Sequence, residues 1–189
     1  MMAAYAAAES GHAVTLLEQN EKLGKKLFIT GKGRCNLTNA SDMEQLFANV
    51  VSNRKFLYSA FYSYDNEQVI SFFESHGMPT KTERGNRVFP VSDHSSDVIA
   101  ALSAALREQH VEVFLHTKVK RLLLEKRDEE KRVTGVELAD HTKMHADAVI
   151  VATGGISYPS TGQRGTVTAW QKRADIRWYR RLRHWFRWK

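Results

Sequence analysis

Apolar positions along the chain alternate between helical and extended spacing, and the changes of spacing mark its elements. Residues 1–10 are alanine-rich helix formers, and Gly11 follows where a helix C-terminal cap belongs. Residues 13–17 form a short apolar run with β-branched members, which predicts a buried strand that ends at Glu18. A helix, a glycine, a strand and an acid in this order indicate the second half of a βαβ unit of the dinucleotide-binding kind.

Helical spacing dominates residues 42–76. Residues 77–79 end this segment, and residues 80–91, with Gly85-Asn86, predict a β-hairpin. Ser92-Asp93 is expected to cap a helix over residues 95–109, whose predicted buried side comprises Val98, Ile99, Leu102, Ala105 and Leu106. We interpret the periodic apolar side chains of the helical segment as core, namely Met43, Leu46, Phe47, Val50, Phe56, Leu57, Ala60, Phe61, Val69, Ile70, Phe72 and Phe73.

The remaining chain is mostly extended. Strands are predicted over residues 111–115, 118–124, 132–138 and 143–145, the last three as an antiparallel meander. Residues 147–152 are apolar after Asp147, which is typical of a strand in a parallel sheet that is covered on both faces. The predicted class is α/β, an incomplete Rossmann-like domain with a parallel sheet and helices plus the antiparallel β-meander at 118–145.

Charge divides the 189 residues unevenly. Composition is ordinary for a globular protein, with 42% hydrophobic and 26% charged residues, which excludes disordered, collagen-like and coiled-coil chains. The net charge is +7, but residues 164–189 alone contribute +8 and hold all four tryptophans, so residues 1–163 sum to −1. We therefore expect a domain over 1–162, with a helical insert at 42–76, and a basic Arg/Trp tail of non-native appearance over 163–189.

Several classes of protein are disfavoured. The apolar runs are too short for a membrane span, and the first residues lack the basic leader of a secretory signal. A single cysteine excludes an intrachain disulfide framework and a dithiol redox pair, and favours a cytoplasmic protein. The eight histidines show no metal-ligand spacing, so we expect no metal site.

The most distinctive motif is Gly31-Lys32-Gly33-Arg34-Cys35-Asn36-Leu37-Thr38-Asn39. Glycines let a backbone approach a ligand closely, and lysine and arginine supply positive charge for phosphates. Lys26 adds basic charge just before the motif. A polar surface loop is the alternative, but the position after the strand that ends at Glu18 favours a phosphate-binding role.

Two further features suit a dinucleotide. Glu18 is a candidate to accept hydrogen bonds from ribose hydroxyls, with an ordinary surface acid as an equal alternative. Thr153-Gly154-Gly155 follows an apolar run, and a glycine pair there allows backbone contact with a cofactor or forms a plain turn.

These motifs together resemble the bacterial FAD-dependent oxidoreductases of the aminoacetone oxidase, or BaiN-like, type. The resemblance covers residues 1–162, and members of that family have a flavoprotein fold of roughly twice this length. It implies oxidoreductase chemistry with FAD as the cofactor and NAD(P)H as an electron donor in the intact family. No catalytic residue and no particular small-molecule substrate or oligomeric state is indicated.

The resemblance also implies roles for single positions. Glu18 would bind the adenosine ribose, residues 31–36 would lie along the pyrophosphate and ribityl chain, and Val119 would face the adenine through its backbone. Cys35 would be a small packing residue near the flavin. The cofactor-binding residues expected are Glu18, Lys26, Gly31, Lys32, Gly33, Arg34, Cys35, Asn36, Val119, Thr153, Gly154 and Gly155.

The chain departs from the family pattern at both ends. The family's glycine-rich turn would precede Met1, and after Gly162 a Gly-x-Gly-Tyr turn and a second domain would follow. With suitable synonymous codons, a shifted frame of the tail gives Ala-Gly-Asn-Gly-Tyr, so we interpret the tail as out-of-frame translation. We accordingly expect impaired FAD binding and little turnover.

An alternative function is a non-enzymatic module whose Arg/Trp tail binds nucleic acid or an anionic surface. The tail has no helical or strand periodicity and no recognised nucleic-acid motif. The flavoprotein interpretation is therefore favoured over it, and no nucleic-acid partner is expected.

Overall fold

The computed structural model describes residues 1–127 and 130–154, which form two compact units. One unit comprises residues 26–105; the other comprises residues 1–25 together with the described residues from 106 onward. Within these ranges the helices are α1 (Met2–Glu9), α2 (Lys25–Phe28), α3 (Met43–Ala48), α4 (Arg54–Ser63), α5 (Asn66–Ser75) and α6 (Ser95–Glu108). The strands are β1 (Thr15–Leu17), β2 (Thr38–Asn39), β3 (Thr80–Glu83), β4 (Arg87–Pro90), β5 (Glu112–Phe114), β6 (Val119–Arg127), β7 (Glu130–Leu138) and β8 (Lys143–His145).

The unit of residues 26–105 is built on the hairpin β3–β4. Strand β4 lies in the middle of an antiparallel sheet in the order β2-β4-β3, and α5 packs on β2 and β3. Val88 and Phe89 of β4 are buried because they lie in this central strand. Asp65 begins α5 with a capping box, in which its carboxylate accepts from the Gln68 N–H. The predicted hairpin and the helical segment are thus confirmed.

Helix α6 agrees with its predicted face but not with its predicted cap. Val98, Leu102, Ala105 and Leu106 are buried, as the spacing predicts. At the helix start the Ser92 hydroxyl accepts from the His94 N–H at 3.2 Å, whereas the Asp93 carboxylate pairs with side chains elsewhere. Asp93 is therefore not a capping residue.

The prediction that all the periodic aromatic side chains of residues 42–76 are core is wrong for α4. Phe47, Phe72 and Phe73 are buried, but α4 has no buried residue and Phe56 is 68% exposed. Helical spacing shows that a helix is amphipathic, but it does not show what its apolar face meets. Aromatic rings of α4 contact the buried Phe47 ring, whose centroid lies 4.5 Å from that of Tyr58 and 5.3 Å from that of Phe61.

The second unit contains the predicted parallel pair. Strands β1 and β5 run parallel, with Leu16 opposite Val113. Helix α1 precedes β1 and ends at a turn in which the Gly11 N–H donates to Ala8 at 2.9 Å. Leu16 and Leu17 are half-buried rather than buried, because β5 is the strand that pairs with β1 in the described part of the chain.

The meander β6-β7-β8 is confirmed, and its first two strands are longer than predicted. Glu137 of β7 is buried at 3% exposure and accepts from Arg121 Nε at 2.7 Å. The register shifts between Leu123 and Leu124, opposite Gly135. Gly135 has φ +144°, and a Cβ placed there would lie 2.1 Å from the Met144 carbonyl oxygen.

The predicted strand at residues 147–152 is wrong. This segment is irregular, and Ile150 is 63% exposed. A strand needs a hydrogen-bonding neighbour, and no strand pairs with this segment in the residues that the structure describes. Its apolar composition indicates burial but does not specify pairing.

Gly155 and the tail at 163–189 lie outside the described residues. Among the residues described, no helix has the length and apolar character needed to cross a lipid bilayer.

Candidate functional site

Glu18 is fixed at the carboxyl end of β1 by its backbone. Its N–H donates to the Phe114 carbonyl at 2.9 Å, and its own carbonyl accepts from the Thr117 N–H at 2.8 Å. Its half-buried carboxylate accepts from the backbone N–H of Asn20 at 2.8 Å and from the Asn20 side-chain nitrogen at 2.6 Å. A carboxylate has about four lone-pair positions, so Glu18 retains capacity to accept from ligand hydroxyls.

The start of α1 lies near Glu18. Burial lowers the pKa of the Met1 ammonium, and the charge of the Glu18 carboxylate acts in the opposite direction and raises it. Val119 begins β6 only two residues after Thr117, which bonds to Glu18. A helix N-terminus and a strand-end acid at one edge are the geometry of a dinucleotide-binding βαβ unit.

The glycine motif forms a tight loop with an outward face. Residues Thr30–Gly33 make a 3-10 turn in which Gly31 and Lys32 have left-handed φ values of 55° and 57°. The side chain of Lys32 is exposed, and a Cβ added at Gly33 would meet nothing within 4 Å. This face therefore offers bare backbone and one cation to an anionic ligand.

The inward face of the loop is held by the protein itself. Cys35 is 3% exposed, so it packs in the interior, and this burial raises the pKa of its thiol. The Asn36 side-chain nitrogen, with its amide oriented to suit its neighbours, donates to the Thr38 carbonyl at 3.1 Å and the Val88 carbonyl at 3.3 Å. Buried Asn39 donates to the Gly85 carbonyl at 2.8 Å, so both asparagines bind local backbone.

Arg34 turns toward the β3–β4 hairpin. Its Nε donates to Asp93 Oδ1 at 2.8 Å, and its Nη2 bonds to both Asp93 and Glu83. Lys81 Nζ lies 2.7 Å from Asp93 Oδ2 and 3.7 Å from Glu83 Oε1. The guanidinium carbon lies 4.2 Å from the centroid of the Phe89 ring.

This network of Arg34, Lys81, Glu83 and Asp93, which we call the Arg34 network, shifts the titration of its carboxyls. The hydrogen bond from Arg34 lowers the pKa of Glu83. For Asp93 the bond from Lys81 lowers the pKa most, followed by that from Arg34. The network pairs two basic side chains with two acidic ones, so its formal charges balance.

Sequence reasoning missed the hairpin side of the network. Glu83 is 49 residues from Arg34 along the chain, and Asp93 is 59 residues away. The turn pattern predicts the hairpin, but a local pattern carries no signal for a partner at that distance. From the sequence alone, a helix cap is the expected role of Asp93, and this expectation gives no reason to look for an ion pair with Arg34.

The remaining predicted positions are less constrained. Lys26 lies half-buried in α2, and Thr153 and Gly154 are exposed in irregular chain. Within the described ranges, no group of three or more His, Cys, Asp or Glu side chains is placed to hold a metal ion.

Comparison with known proteins identifies the family. A profile of the HI0933-like protein Rossmann domain matches residues 1–180. The 3-dehydro-bile acid delta(4,6)-reductase of Clostridium scindens is 35% identical over 168 residues, which are 88% of this chain and 39% of that protein. The chain belongs to the HI0933-like family of FAD-dependent oxidoreductases.

A second curated relative and a solved structure are also similar to the chain. The ribosomal RNA dihydrouridine synthase of Haemophilus influenzae is 27% identical over 156 residues, covering 82% of this chain and 37% of that protein. The crystal structure of Thermovibrio ammonificans THI4 matches with a TM-score of 0.60 at 15% identity, covering 93% of this chain and 58% of that one. This likeness shows the Rossmann-like fold. The chain spans less than half the length of the two curated relatives.

The described residues of this HI0933-like chain fit an FAD. The carboxylate of Glu18 can accept from ribose hydroxyls at a strand end, and the open Cβ position of Gly33 beside Lys32 suits a pyrophosphate. The two features lie in separate units, and each fits its part of the cofactor on its own geometry.

Proposed function

We propose that this chain is the FAD-binding part of an FAD-dependent oxidoreductase. The cofactor would bind along Glu18, the loop of residues 31–39 and residues 153–155, with Val119 facing the adenine through its backbone. The observation that carries the proposal is the outward face of the glycine loop, where left-handed backbone, an open Gly33 and the exposed Lys32 stand together.

The two proposed contacts recognise different parts of the cofactor. The Lys32 ammonium attracts the pyrophosphate as a point charge, and glycine backbone lets it approach. The Glu18 carboxylate accepts from ribose hydroxyls and fixes the adenosine end. Bound FAD supplies two-electron transfer, while the protein binds and orients it.

A flavin titration with matched variants tests this proposal. We expect one FAD to bind per chain, with the reduced affinity predicted from the sequence, and the change of flavin absorbance and fluorescence measures it. Glu18→Gln should weaken FAD by about tenfold, a typical loss for one charge-assisted hydrogen bond, and leave FMN binding unchanged because FMN has no adenosine. Lys32→Gln should weaken both cofactors.

The control is Lys55→Gln, which removes an exposed charge of α4. It should leave both affinities unchanged. If the unmodified chain binds no flavin at any concentration up to the solubility limit of FAD, or if Glu18→Gln weakens FMN as much as FAD, the assignment of these contacts is wrong.

The names of the two curated relatives suggest a substrate class for the longer protein. A 3-dehydro-delta(4,6) bile acid and uridine each contain a carbon–carbon double bond that is conjugated to a carbonyl group. Both enzyme names describe the reduction of such a double bond to a single bond. We propose the same class here, with NAD(P)H supplying two electrons through FAD and the solvent supplying the second proton. NAD(P)H oxidation that depends on a steroid 4,6-dien-3-one supports it; oxidation unchanged by any conjugated enone contradicts it.

A further inference from the structure

Arg34 belongs to the inner side of the glycine loop rather than to the ligand side. Its guanidinium spans Glu83 at the end of β3 and Asp93 after β4, and lies over the Phe89 ring between them. The Phe89 ring is 3% exposed and also touches the loop, because its Cε1 would lie 3.6 Å from a Cβ at Gly31. The loop is therefore held on the hairpin by the Arg34 side chain and by the Phe89 ring.

The charges of the Arg34 network are already matched within the protein. Two cations, Arg34 and Lys81, face two carboxylates, Glu83 and Asp93. If Arg34 turned outward to a phosphate, both carboxylates would keep only Lys81, and the Phe89 ring would lose the nearer guanidinium that lies over it. Guanidinium groups are suited to this combined bidentate and stacked arrangement, whereas an ammonium is not.

We propose that Arg34 is a positioning residue that locks the cofactor loop onto the β3–β4 hairpin, and that it does not contact the pyrophosphate. The inference rests on the proposed FAD function for its purpose. It assigns Glu83, Asp93 and Phe89 as the support of the loop and leaves Lys32 as the loop cation that meets the phosphates.

The first arm of the test needs no cofactor. Cys35 is the single cysteine of the chain, and it lies buried next to Arg34, so its alkylation rate reports the opening of this loop. Arg34→Gln, and separately Glu83→Gln with Asp93→Asn, should each raise the alkylation rate by about tenfold through local opening. The matched control is Arg84→Gln, an exposed arginine in the turn of the same hairpin, which should leave the rate unchanged.

The second arm measures FAD affinity over a range of salt concentrations. Arg34→Gln and the Glu83→Gln/Asp93→Asn pair should each lower the affinity for FAD by about tenfold. Combining them should lower the affinity no further, since contacts within one network are not additive. In Arg34→Gln the dependence of FAD affinity on salt concentration should be the same as in the unmodified chain. In Lys32→Gln this dependence should be weaker, because only this substitution removes a cation that faces the phosphates. Arg34→Lys keeps the charge and should behave like Arg34→Gln.

Each outcome decides the proposal. It is overturned if the carboxylate variants leave Cys35 protected, if they leave FAD affinity unchanged while Arg34→Gln lowers it, or if Arg34→Lys restores full affinity. Circular dichroism identifies any variant that fails to fold, and the isosteric pair Glu83→Gln/Asp93→Asn then replaces it. If the unmodified chain binds no FAD, the proposed function fails, while the alkylation rates still show whether Arg34 holds the loop.

Discussion

Gly31 and Gly33 lie two positions apart in one loop and meet different surroundings. Both have positive φ, at 55° and 86°. A Cβ at Gly31 would lie 2.8 Å from the backbone nitrogen of Asn36, whereas one at Gly33 would meet open space. Both backbone conformations favour glycine, but at Gly31 the packing of the fold also excludes a side chain, whereas at Gly33 it does not.

Alanine substitutions should separate these two requirements. Gly31→Ala should lower the free energy of unfolding by about 2–3 kcal/mol, because strain adds to a clash with backbone. Gly33→Ala should cost about 1 kcal/mol of strain but weaken FAD binding, since its methyl group occupies the ligand side. Urea denaturation and flavin titration measure the two effects, and equal destabilisation by both substitutions would contradict this account.

At the scale of elements, the meander depends on one glycine in β7. Gly135 lies where the register of β6 and β7 shifts, and β8 passes against its Cα. Backbone atoms of Met144 and His145 fill the space that a side chain would need. Glycine is therefore the residue that allows three strands to pair here.

Gly135→Ala should be among the most damaging single changes in this unit. The added methyl group must displace β8, so we expect a loss of about 2 kcal/mol or more in the free energy of unfolding. Thr134→Ala, next to it on the same strand, is the control and should cost less than about 1 kcal/mol. Chemical denaturation measures both, and a neutral Gly135→Ala would show that β8 is not seated as described.

The elements also show what a sequence can and cannot predict. Helix α1, the helical segment that contains α5, helix α6 and the β3–β4 hairpin are confirmed because glycines and apolar periodicity are local signals. The segment at 147–152 and the exposed ring of Phe56 were misjudged because apolar composition does not name a partner. The partners of Arg34 could not be predicted from the sequence for the same reason, because Glu83 and Asp93 are close to it in space and far from it along the chain.

For the whole molecule, several paired carboxyls imply a shared response to acid. The pKa values of Glu83, Asp93 and Glu137 are all lowered in the folded chain, for Glu137 chiefly through its hydrogen bond with Arg121. A carboxyl whose pKa is lower in the folded than in the unfolded chain stabilises the fold. This contribution is complete above the unfolded-state pKa, which is 4.5 for glutamate and 3.8 for aspartate. It is lost as the pH falls through the folded-state pKa.

We therefore expect thermal stability to be level from neutral pH to about pH 5 and to fall steeply below about pH 4.5. Removing two of the carboxyls with Glu83→Gln/Asp93→Asn should lower the stability at pH 7 and flatten the fall in acid. Glu44→Gln, at an exposed carboxyl of α3, should leave the profile unchanged. Melting curves at closely spaced pH values measure this, and a fall of the same steepness in the double variant would contradict it.

The route of the chain around the cofactor loop has a consequence for how such proteins diversify. Strands β2, β4 and β3 form one sheet. Between β2 and β3 the chain leaves this sheet after Asn39, forms α3, α4 and α5, and returns to it at Thr80. Because this segment leaves and rejoins a single sheet, its length can change at little entropic cost. We expect insertions at α4, which has no buried residue, to add surface there and to leave the hairpin that supports the loop in place.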